Sequence, residues 1–271
     1  MRADQLLVER GLAASRSQAQ RLIASGGRWR APTGWRDLAK SDDVPADAEL
    51  ELLDAAEARY VSRGGLKLEG ALRAACLDVT GWHCLDVGQS TGGFTDCLLQ
   101  HGAQRVVGVD VGHGQLHPRL RADPRVQAIE GINARQLNAT NLVAKERDQT
   151  PDGGRFDQIF KLIVADLSFI SLTLVLPAMA ARLASDGALL LLVKPQFELQ
   201  PGQLGKGGIV RDAALYRDVE QRLRVACAAQ GLLVRDWFDS PITGGDGNRE
   251  FFLHAVWAEP APRTVSISES L

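Results

Sequence analysis

Short apolar runs that alternate with helical stretches dominate the chain from residue 82 onward. Four of these runs are bounded by Gly, Asp or Lys: Cys84–Val87, Val106–Asp110, Leu162–Asp166 and Leu189–Val193. Continuous runs of Val, Leu and Ile are typical of strands that a parallel sheet buries on both faces. The pattern therefore predicts a doubly wound α/β domain, although one sequence does not give the order of its strands.

The first 60 residues follow a different pattern. Apolar residues repeat at helical spacing from Ala3 to Gly11, and Ser15 with Gln18 has the form of a capping box that opens a second helix. Short extended segments follow and end at Glu49–Leu52. We therefore predict a small α+β domain over residues 1–58, a linker over 59–64, the α/β domain over 65–258 and a flexible tail over 259–271.

Composition narrows the class of protein. The chain has 271 residues, of which 45% are hydrophobic and 24% charged, and this excludes a disordered, collagenous or small disulfide-rich protein. The four cysteines form no Cys-x-x-Cys pair, so we expect reduced thiols and no metal site. The start lacks the pattern of a secretion signal, and the longest apolar run, Ala188–Val193, is too short to cross a bilayer. We therefore expect a cytoplasmic protein that does not enter a membrane.

Charge is distributed unevenly along the first domain. Residues 1–36 carry seven arginines against Asp4 and Glu9, whereas residues 37–57 carry eight acids against Lys40. Such a reversal fits a module with one basic face that contacts phosphates, and it fits equally well the solvated surface of an ordinary small domain. The candidate phosphate-contacting residues are Arg16, Arg21, Arg28, Arg30 and Arg63.

A glycine-rich segment, Asp86–Asp96, follows the first predicted strand of the α/β domain. A dinucleotide fingerprint would need glycine where Ser90 stands, and a P-loop would need Gly-Lys-Ser or Gly-Lys-Thr, which the chain lacks. No lysine or arginine lies between Asp86 and Gln104. The loop therefore suits an uncharged or cationic ligand better than a pyrophosphate, and S-adenosylmethionine is such a ligand.

A second acid, Asp110, closes the next predicted strand, where a carboxylate can accept hydrogen bonds from the ribose hydroxyls of an adenosine. A turn acid before Gly112 is the alternative interpretation. The spacing Asp-x-Gly-x-x-x-Gly-Gly is similar to the first motif of Rossmann-type methyltransferases. That resemblance implies that Asn133, in the segment Glu130–Arg135, faces the adenine; without the resemblance, a plain loop is an equally good interpretation of this segment. The candidate cofactor-binding residues are Asp86, Gly88, Ser90, Gly92, Gly93, Phe94, Asp110, Asn133 and Asp166.

Asp166 and Lys194 each end an apolar run, and catalytic groups of open α/β sheets gather at the carboxyl ends of the strands. A charge at a strand end is also often merely solvated. Together with the segments Ser62–Leu68 and Asn248–Phe252, however, these residues resemble the ribose 2'-O-methyltransferases of the FtsJ class. Their Lys-Asp-Lys-Glu catalytic tetrad would fall on Lys67, Asp166, Lys194 and Glu250.

The chain as a whole resembles the TlyA, or hemolysin A, family from residue 1 to about 257. The matching phrases include Ser62–Gly65, Lys194–Glu198, Gly205–Asp212 and Gly244–Glu250. In that family an FtsJ-like domain follows a small RNA-binding module like ribosomal small-subunit protein four, although Ala31–Gly34 departs from the usual hairpin of that module. The resemblance implies S-adenosylmethionine-dependent methylation of a cytidine 2'-hydroxyl in ribosomal RNA. We expect a monomer whose partners are ribosomal RNA and ribosomal subunits.

The residues themselves favour a hydroxyl as the methyl acceptor. No cysteine nucleophile for C5 methylation lies near Asp166 or Lys194, and the Asn/Asp-Pro-Pro-aromatic clamp common in amino methylation is absent. Lys194 is the candidate base, assisted by Asp166 and Glu250, with Lys67 orienting the RNA; which lysine takes the proton stays open. A membrane-active hemolysin and a ribosome-assembly factor without catalysis are the alternatives.

Overall fold

The computed structural model describes residues 1–13, 15–24, 26–52, 59–137, 159–244 and 247–258. The chain forms two compact units, Met1–Leu66 and Lys67–Leu271. The predicted linker over residues 59–64 ends just before this division. The predicted tail over residues 259–271 lies outside the described residues.

The first unit combines two helices with a small antiparallel sheet. Leu6, Leu7 and Leu22 are at most 1% exposed and form the centre of its core. The Ser15 hydroxyl accepts a hydrogen bond of 3.2 Å from the backbone N–H of Gln18, so this half of the predicted capping box is confirmed. The elements are α1 (Ala3–Glu9), α2 (Arg16–Ala24), β1 (Gly27–Ala31), β2 (Gly34–Asp37) and β3 (Leu50–Leu52), with strand order β2-β1-β3.

The second unit is an α/β sheet domain. Its strands are β4 (His83–Val87), β5 (Arg105–Asp110), β6 (Val126–Glu130), β7 (Phe160–Ala165), β8 (Leu183–Val193), β9 (Leu232–Asp239) and β10 (Phe251–Trp257). Its helices are α3 (Gly64–Ala74), which begins in the last residues of the first unit, α4 (Gly93–Gln100), α5 (Pro118–Arg121), α6 (Leu176–Ala180), α7 (Pro195–Glu198) and α8 (Ala214–Ala228). All four predicted strands are confirmed, with β8 starting earlier than its apolar run.

The seven strands have the order β6-β5-β4-β7-β8-β10-β9. Strands β4 to β8 run parallel, as predicted, and the consecutive residues Leu189–Val193 are at most 1% exposed, so both faces of β8 are covered. Strand β10 is antiparallel to both of its neighbours, which the sequence pattern did not predict. Its first residue, Phe251, pairs with Val193, the last residue of β8. The residue before β10 therefore lies at the same edge of the sheet as the residues that follow the parallel strands.

Candidate active site

A cleft of about 470 Å³ lies at the carboxyl edge of the sheet, among the loops that follow β4, β5, β6 and β7. Apolar side chains such as Ile132 and Leu167 form part of its lining. Open α/β sheets bind their ligands at this edge. Five of the predicted cofactor-binding residues line the cleft: Gly88, Ser90, Asp110, Asn133 and Asp166.

Gly88 brings the loop after β4 against the end of β7. Its φ is +86°, and a Cβ atom at this position would lie 2.6 Å from the backbone oxygen of Asp166, closer than any real Cβ contact. Glycine therefore serves here both a left-handed turn and a close approach of two backbones. Two loops that line the cleft, those after β4 and β7, therefore meet at this point.

Asp110 braces the same loop from the neighbouring strand. Its Oδ2 accepts a hydrogen bond of 2.8 Å from the backbone N–H of Ser90, and its Oδ1 accepts one of 2.7 Å from the backbone N–H of Gly112. Ser90 has a left-handed φ of +48°, and its hydroxyl donates to Gln115 at 3.1 Å. A carboxylate has about four lone-pair sites, so Asp110 keeps acceptor capacity for a ligand in the cleft. The turn-acid interpretation and the ligand-binding interpretation are thus compatible.

Asp86 is fully buried beneath the loop. Its Oδ2 accepts hydrogen bonds from the backbone N–H and the hydroxyl of Thr95, at 3.0 and 2.7 Å, whereas its Oδ1 is buried and has no hydrogen-bond partner within the described ranges. Burial raises the pKa of the Asp86 carboxyl to about 7, and the nearby charges of Asp166 and Asp110 add to the increase. A buried carboxylate oxygen without a partner, with two more carboxylates nearby, favours a cationic ligand.

Three other predicted cofactor-binding residues support the loop and do not belong to the cleft lining. A Cβ atom on Gly92, whose φ is +93°, would lie 2.4 Å from a methyl group of Leu120 in α5. Gly93 begins α4 and is buried. Phe94 is also buried, with its ring stacked on that of Phe252 at 6.2 Å between centroids.

The four residues of the proposed tetrad form two ion pairs. Lys194 Nζ lies 2.5 Å from Asp166 Oδ1, and Lys67 Nζ lies 2.5 Å from Glu250 Oε2. The partner of Glu250 is thus Lys67, whereas the sequence analysis expected Glu250 to assist Lys194. Lys194 also donates a hydrogen bond of 3.0 Å to the hydroxyl of Ser168, a residue that the sequence analysis did not single out.

Sheet topology explains why these residues meet. Strands β7 and β8 are parallel neighbours, so Asp166 and Lys194, which follow them, leave the sheet side by side. Glu250 precedes β10 and reaches the same edge because β10 runs in the opposite direction. Lys67 comes from the first turn of α3 and completes the group.

The aromatic ring of Phe169 projects from the rim of the cleft. Phe169 is 90% exposed, has a left-handed φ of +63°, and its ring centroid lies 4.9 Å from that of Phe197. Exposed aromatic rings bind nucleobases by stacking. No periodicity of the sequence distinguishes this phenylalanine from a core residue, so the sequence analysis missed it.

The helical part of the first unit holds one of the predicted RNA-binding arginines against a buried acid. Asp4 is fully buried and accepts hydrogen bonds from Arg2, Arg16 and Gln20, and the side chain of Arg16 is still 52% exposed. The Arg2 and Gln20 hydrogen bonds hold the pKa of Asp4 well below its usual range. The side chain of Arg21 lies outside the described residues.

The arginines of β1 lie closer to acids than their sequence positions indicate. Arg28 and Arg30 are each 3.9 Å from a glutamate, Glu51 and Glu49 respectively, because β3 pairs with β1. Both guanidinium groups also lie within 6 Å of the ring centre of Trp35, at 5.8 and 5.9 Å. The charge reversal along the sequence is thus partly compensated across this small sheet. Arg63, the remaining candidate, is half-buried just before α3.

In the described ranges, no helix combines the length and apolar character that crossing a membrane requires. Among the same residues, no group of three or more His, Cys, Asp or Glu side chains has an arrangement that could hold a metal ion.

Comparison with known proteins places the chain in a family. The model of the FtsJ-like methyltransferases matches residues 60–257. The Mycobacterium tuberculosis protein named 16S/23S rRNA (cytidine-2'-O)-methyltransferase TlyA is 45% identical over 257 residues, which are 93% of this chain and 88% of that protein. Hemolysin A of Brachyspira hyodysenteriae is 37% identical, with 94% and 100% of the two chains covered.

A solved structure resembles the whole chain. The structure described as a hemolysin from Streptococcus thermophilus is 38% identical, covers 96% of this chain and 90% of its own, and gives a TM-score of 0.69. Both units of the chain are therefore included in the similarity. The chain belongs to the FtsJ-like methyltransferases and, within them, to the TlyA, or hemolysin A, family.

Proposed function

We propose that this protein transfers a methyl group from S-adenosylmethionine to the ribose 2'-hydroxyl of a cytidine in ribosomal RNA. The observation that carries the proposal is the Lys194–Asp166 ion pair, whose carboxylate lines the cleft at the edge of an FtsJ-like sheet. A hydroxyl acceptor needs a group that takes its proton while the methyl group arrives in line. The name of the Mycobacterium tuberculosis relative supports cytidine in ribosomal RNA as the substrate.

The cleft suits S-adenosylmethionine in both shape and charge. Asp110 would accept hydrogen bonds from its ribose hydroxyls, Asn133 would face its adenine, and the carboxylate of Asp166, which lines the cleft, would attract its cationic end. Gly88 leaves room for backbone contact that a side chain would block. When bound, this cofactor supplies an electrophilic methyl group on a positively charged sulfur.

Lys194 is the base in this proposal. Once deprotonated, its amine would take the proton of the 2'-hydroxyl while the hydroxyl oxygen bonds to the methyl carbon. The bond from that carbon to the cofactor sulfur would break at the same time, and the cofactor would leave as a neutral thioether. Asp166 and Ser168 each hold the Lys194 nitrogen, at 2.5 and 3.0 Å, and so fix its direction toward the cleft. Lys67 suits an orienting role better, because its pair with Glu250 is buried, with side chains only 10% and 3% exposed.

In this proposal the first unit binds the RNA, and it acts as an RNA-binding module like ribosomal small-subunit protein four. Arg16, Arg21, Arg28, Arg30 and Arg63 are its candidate phosphate contacts. The half-exposed guanidinium of Arg16, fixed by the buried Asp4, supports this role, because a positioned arginine loses less entropy when it binds phosphate. Its partners would be ribosomal subunits in the cytoplasm, and it would act as a monomer.

The test uses purified protein, methyl-labelled S-adenosylmethionine and ribosomal subunits, followed by nucleoside analysis. We expect the label in 2'-O-methylcytidine. Label on a base would overturn the hydroxyl mechanism. RNA binding without any label would support the non-catalytic assembly factor, and lysis of erythrocytes by the purified protein would support the membrane-active alternative.

A further inference from the structure

Two loops carry the proposed catalytic pair, and they contact each other at three points along their length. One loop follows β7 from Asp166 to Ser171, and the other is the turn from Lys194 to Glu198 that follows β8. Lys194 pairs with Asp166, and farther along the ring of Phe197 packs on that of Phe169. A third connection closes the far end of the two loops.

Glu198 makes that third connection through its carboxylate. Its Oε2 accepts a hydrogen bond of 2.5 Å from the Ser171 hydroxyl, and its Oε1 accepts one of 2.7 Å from the backbone N–H of Leu172. The residue is 4% exposed, and its own backbone oxygen accepts a hydrogen bond from Arg222 of α8. Glu198 is therefore fixed on one side by α8 and fixes the loop of Asp166 on the other.

The loop needs such a connection because it contains an unfavourable backbone conformation. Phe169 has a φ of +63°, a region that residues with a Cβ atom rarely adopt unless the surrounding structure imposes it. The hydrogen bonds of Glu198 fix Ser171 and Leu172, which follow Phe169 by two and three residues. The Lys194 pair fixes the loop on the other side of Phe169. The strained residue is thus held between two fixed points.

We propose that Glu198 is a positioning residue for methyl transfer, which holds Asp166 and the ring of Phe169 in place through Ser171 and Leu172. This inference rests on the proposed function. The role depends on the carboxylate as a hydrogen-bond acceptor, because its two donors, the Ser171 hydroxyl and the Leu172 N–H, are neutral. The nearby charge of Arg222 acts on the same carboxylate and opposes the effect of burial on its pKa. Burial raises the pKa of Glu198, which is consistent with a neutral isostere being tolerated.

The test compares Glu198→Ala, Glu198→Gln and Ser171→Ala in the full chain. Loss of the connection shifts groups that act on RNA, so we expect Glu198→Ala to lower kcat and raise KM for RNA, with kcat/KM reduced roughly 10- to 100-fold. Glutamine keeps an oxygen for Leu172 and can donate to the Ser171 hydroxyl, so we expect Glu198→Gln to retain activity within about threefold. Ser171→Ala should give an intermediate loss. Turnover is expressed per S-adenosylmethionine-binding site, so that misfolded protein does not count.

Glu220→Ala is the matched control, because Glu220 is a half-buried glutamate of α8 whose carboxylate pairs with Arg224 on the same helix. Its kinetics should equal those of the unmodified protein. Wild-type kcat and KM per binding site in Glu198→Ala would overturn the inference, and so would a Glu198→Gln variant as impaired as the alanine variant. Failure of the unmodified protein to methylate ribose would instead overturn the proposed function.

Discussion

Glu250 and Lys67 form a buried ion pair that joins the start of β10 to the first turn of α3. Their charged atoms lie 2.5 Å apart, and the two side chains are 3% and 10% exposed. Removing two such charges from water costs several kcal/mol per ion, which only close pairing offsets. Each residue of this pair therefore depends on the other.

We expect Glu250→Ala or Lys67→Met alone to lower the free energy of unfolding by about 3 kcal/mol, because each variant leaves one buried charge without its partner. The double variant Lys67→Met/Glu250→Leu should lose less than the sum of the single losses. Urea unfolding of the four proteins, arranged as a double-mutant cycle, measures the coupling. Strictly additive losses would mean that the two groups do not interact.

Lys194→Ala should lower turnover roughly 10²- to 10⁴-fold, the usual contribution of a general base, with nearly unchanged binding of S-adenosylmethionine. Lys194→Arg should fail as well, because guanidinium does not give up its proton at working pH. The control is Lys161→Ala, since Lys161 lies on β7 and pairs with Asp186. Single-turnover kinetics with ribosomal subunits gives the comparison. A fully active Lys194→Ala enzyme would move the role of base to Lys67 or to water.

The sequence predicted the parallel part of the sheet because its strands read as unbroken apolar runs. It did not reveal β10, in which His254 interrupts the run Phe251–Trp257. In the fold this histidine is buried, and its Nδ1 lies 2.8 Å from a carboxylate oxygen of Asp236 on β9, the edge strand. A polar residue whose partner comes from another strand cannot be recognised from periodicity, because only the fold supplies the partner.

The same limit applies to the candidate site. Asp166, Lys194 and Glu250 could be found because motif resemblance and strand ends mark them. Glu198 lies in a phrase that matches the family, but the sequence analysis assigned no role to it or to Ser168, because both act through hydrogen bonds between two loops. Gly92, Gly93 and Phe94 belong to the predicted loop but do not line the cleft. A sequence motif shows which residues belong to a loop, but it does not show which of their side chains face the ligand.

Asp110→Ala should weaken S-adenosylmethionine binding roughly 10- to 100-fold, which is the usual contribution of one or two hydrogen bonds to a charged group. The variant removes the ligand acceptor and also the brace that holds the Ser90 N–H. Asp123→Ala is the control, because Asp123 pairs with its near neighbour Arg125. Calorimetric titration gives both affinities, and NAD should not replace the cofactor. Equal affinity in the Asp110 variant would remove Asp110 from the site.

Changing Arg16, Arg21 and Arg28 to Glu should weaken RNA binding about tenfold or more and make it less sensitive to salt, because phosphate contacts release counterions. Affinity for S-adenosylmethionine should stay unchanged. Arg125→Glu, at an exposed ion pair of the second unit, is the control. Filter binding at several salt concentrations gives the slope. Unchanged RNA affinity in the triple variant would show that the first unit recognises something other than RNA.

Asp86→Asn should stabilise the protein, and increasingly so as pH rises. Burial holds the pKa of Asp86 at about 7 in the folded state, against an ordinary value of 3.8, so the folded state binds more protons than the unfolded state between these values. Stability therefore falls as pH rises from about 4 to about 7 and levels off above that. Asparagine removes this loss, and its oxygen can still accept both hydrogen bonds from Thr95.

Urea unfolding at several pH values between about 4 and 8 measures the effect, and the advantage of Asp86→Asn should reach the order of a few kcal/mol near neutral pH. Asp78→Asn is a control of opposite sign. Hydrogen bonds from Thr80 lower the pKa of Asp78, so the ionised Asp78 stabilises the folded state at neutral pH and this stabilisation is lost in acid. Asp78→Asn should therefore be less stable than the unmodified protein at neutral pH, with a smaller difference in acid. An Asp86→Asn advantage that is constant across the range would mean that Asp86 ionises at its ordinary pKa in the folded protein.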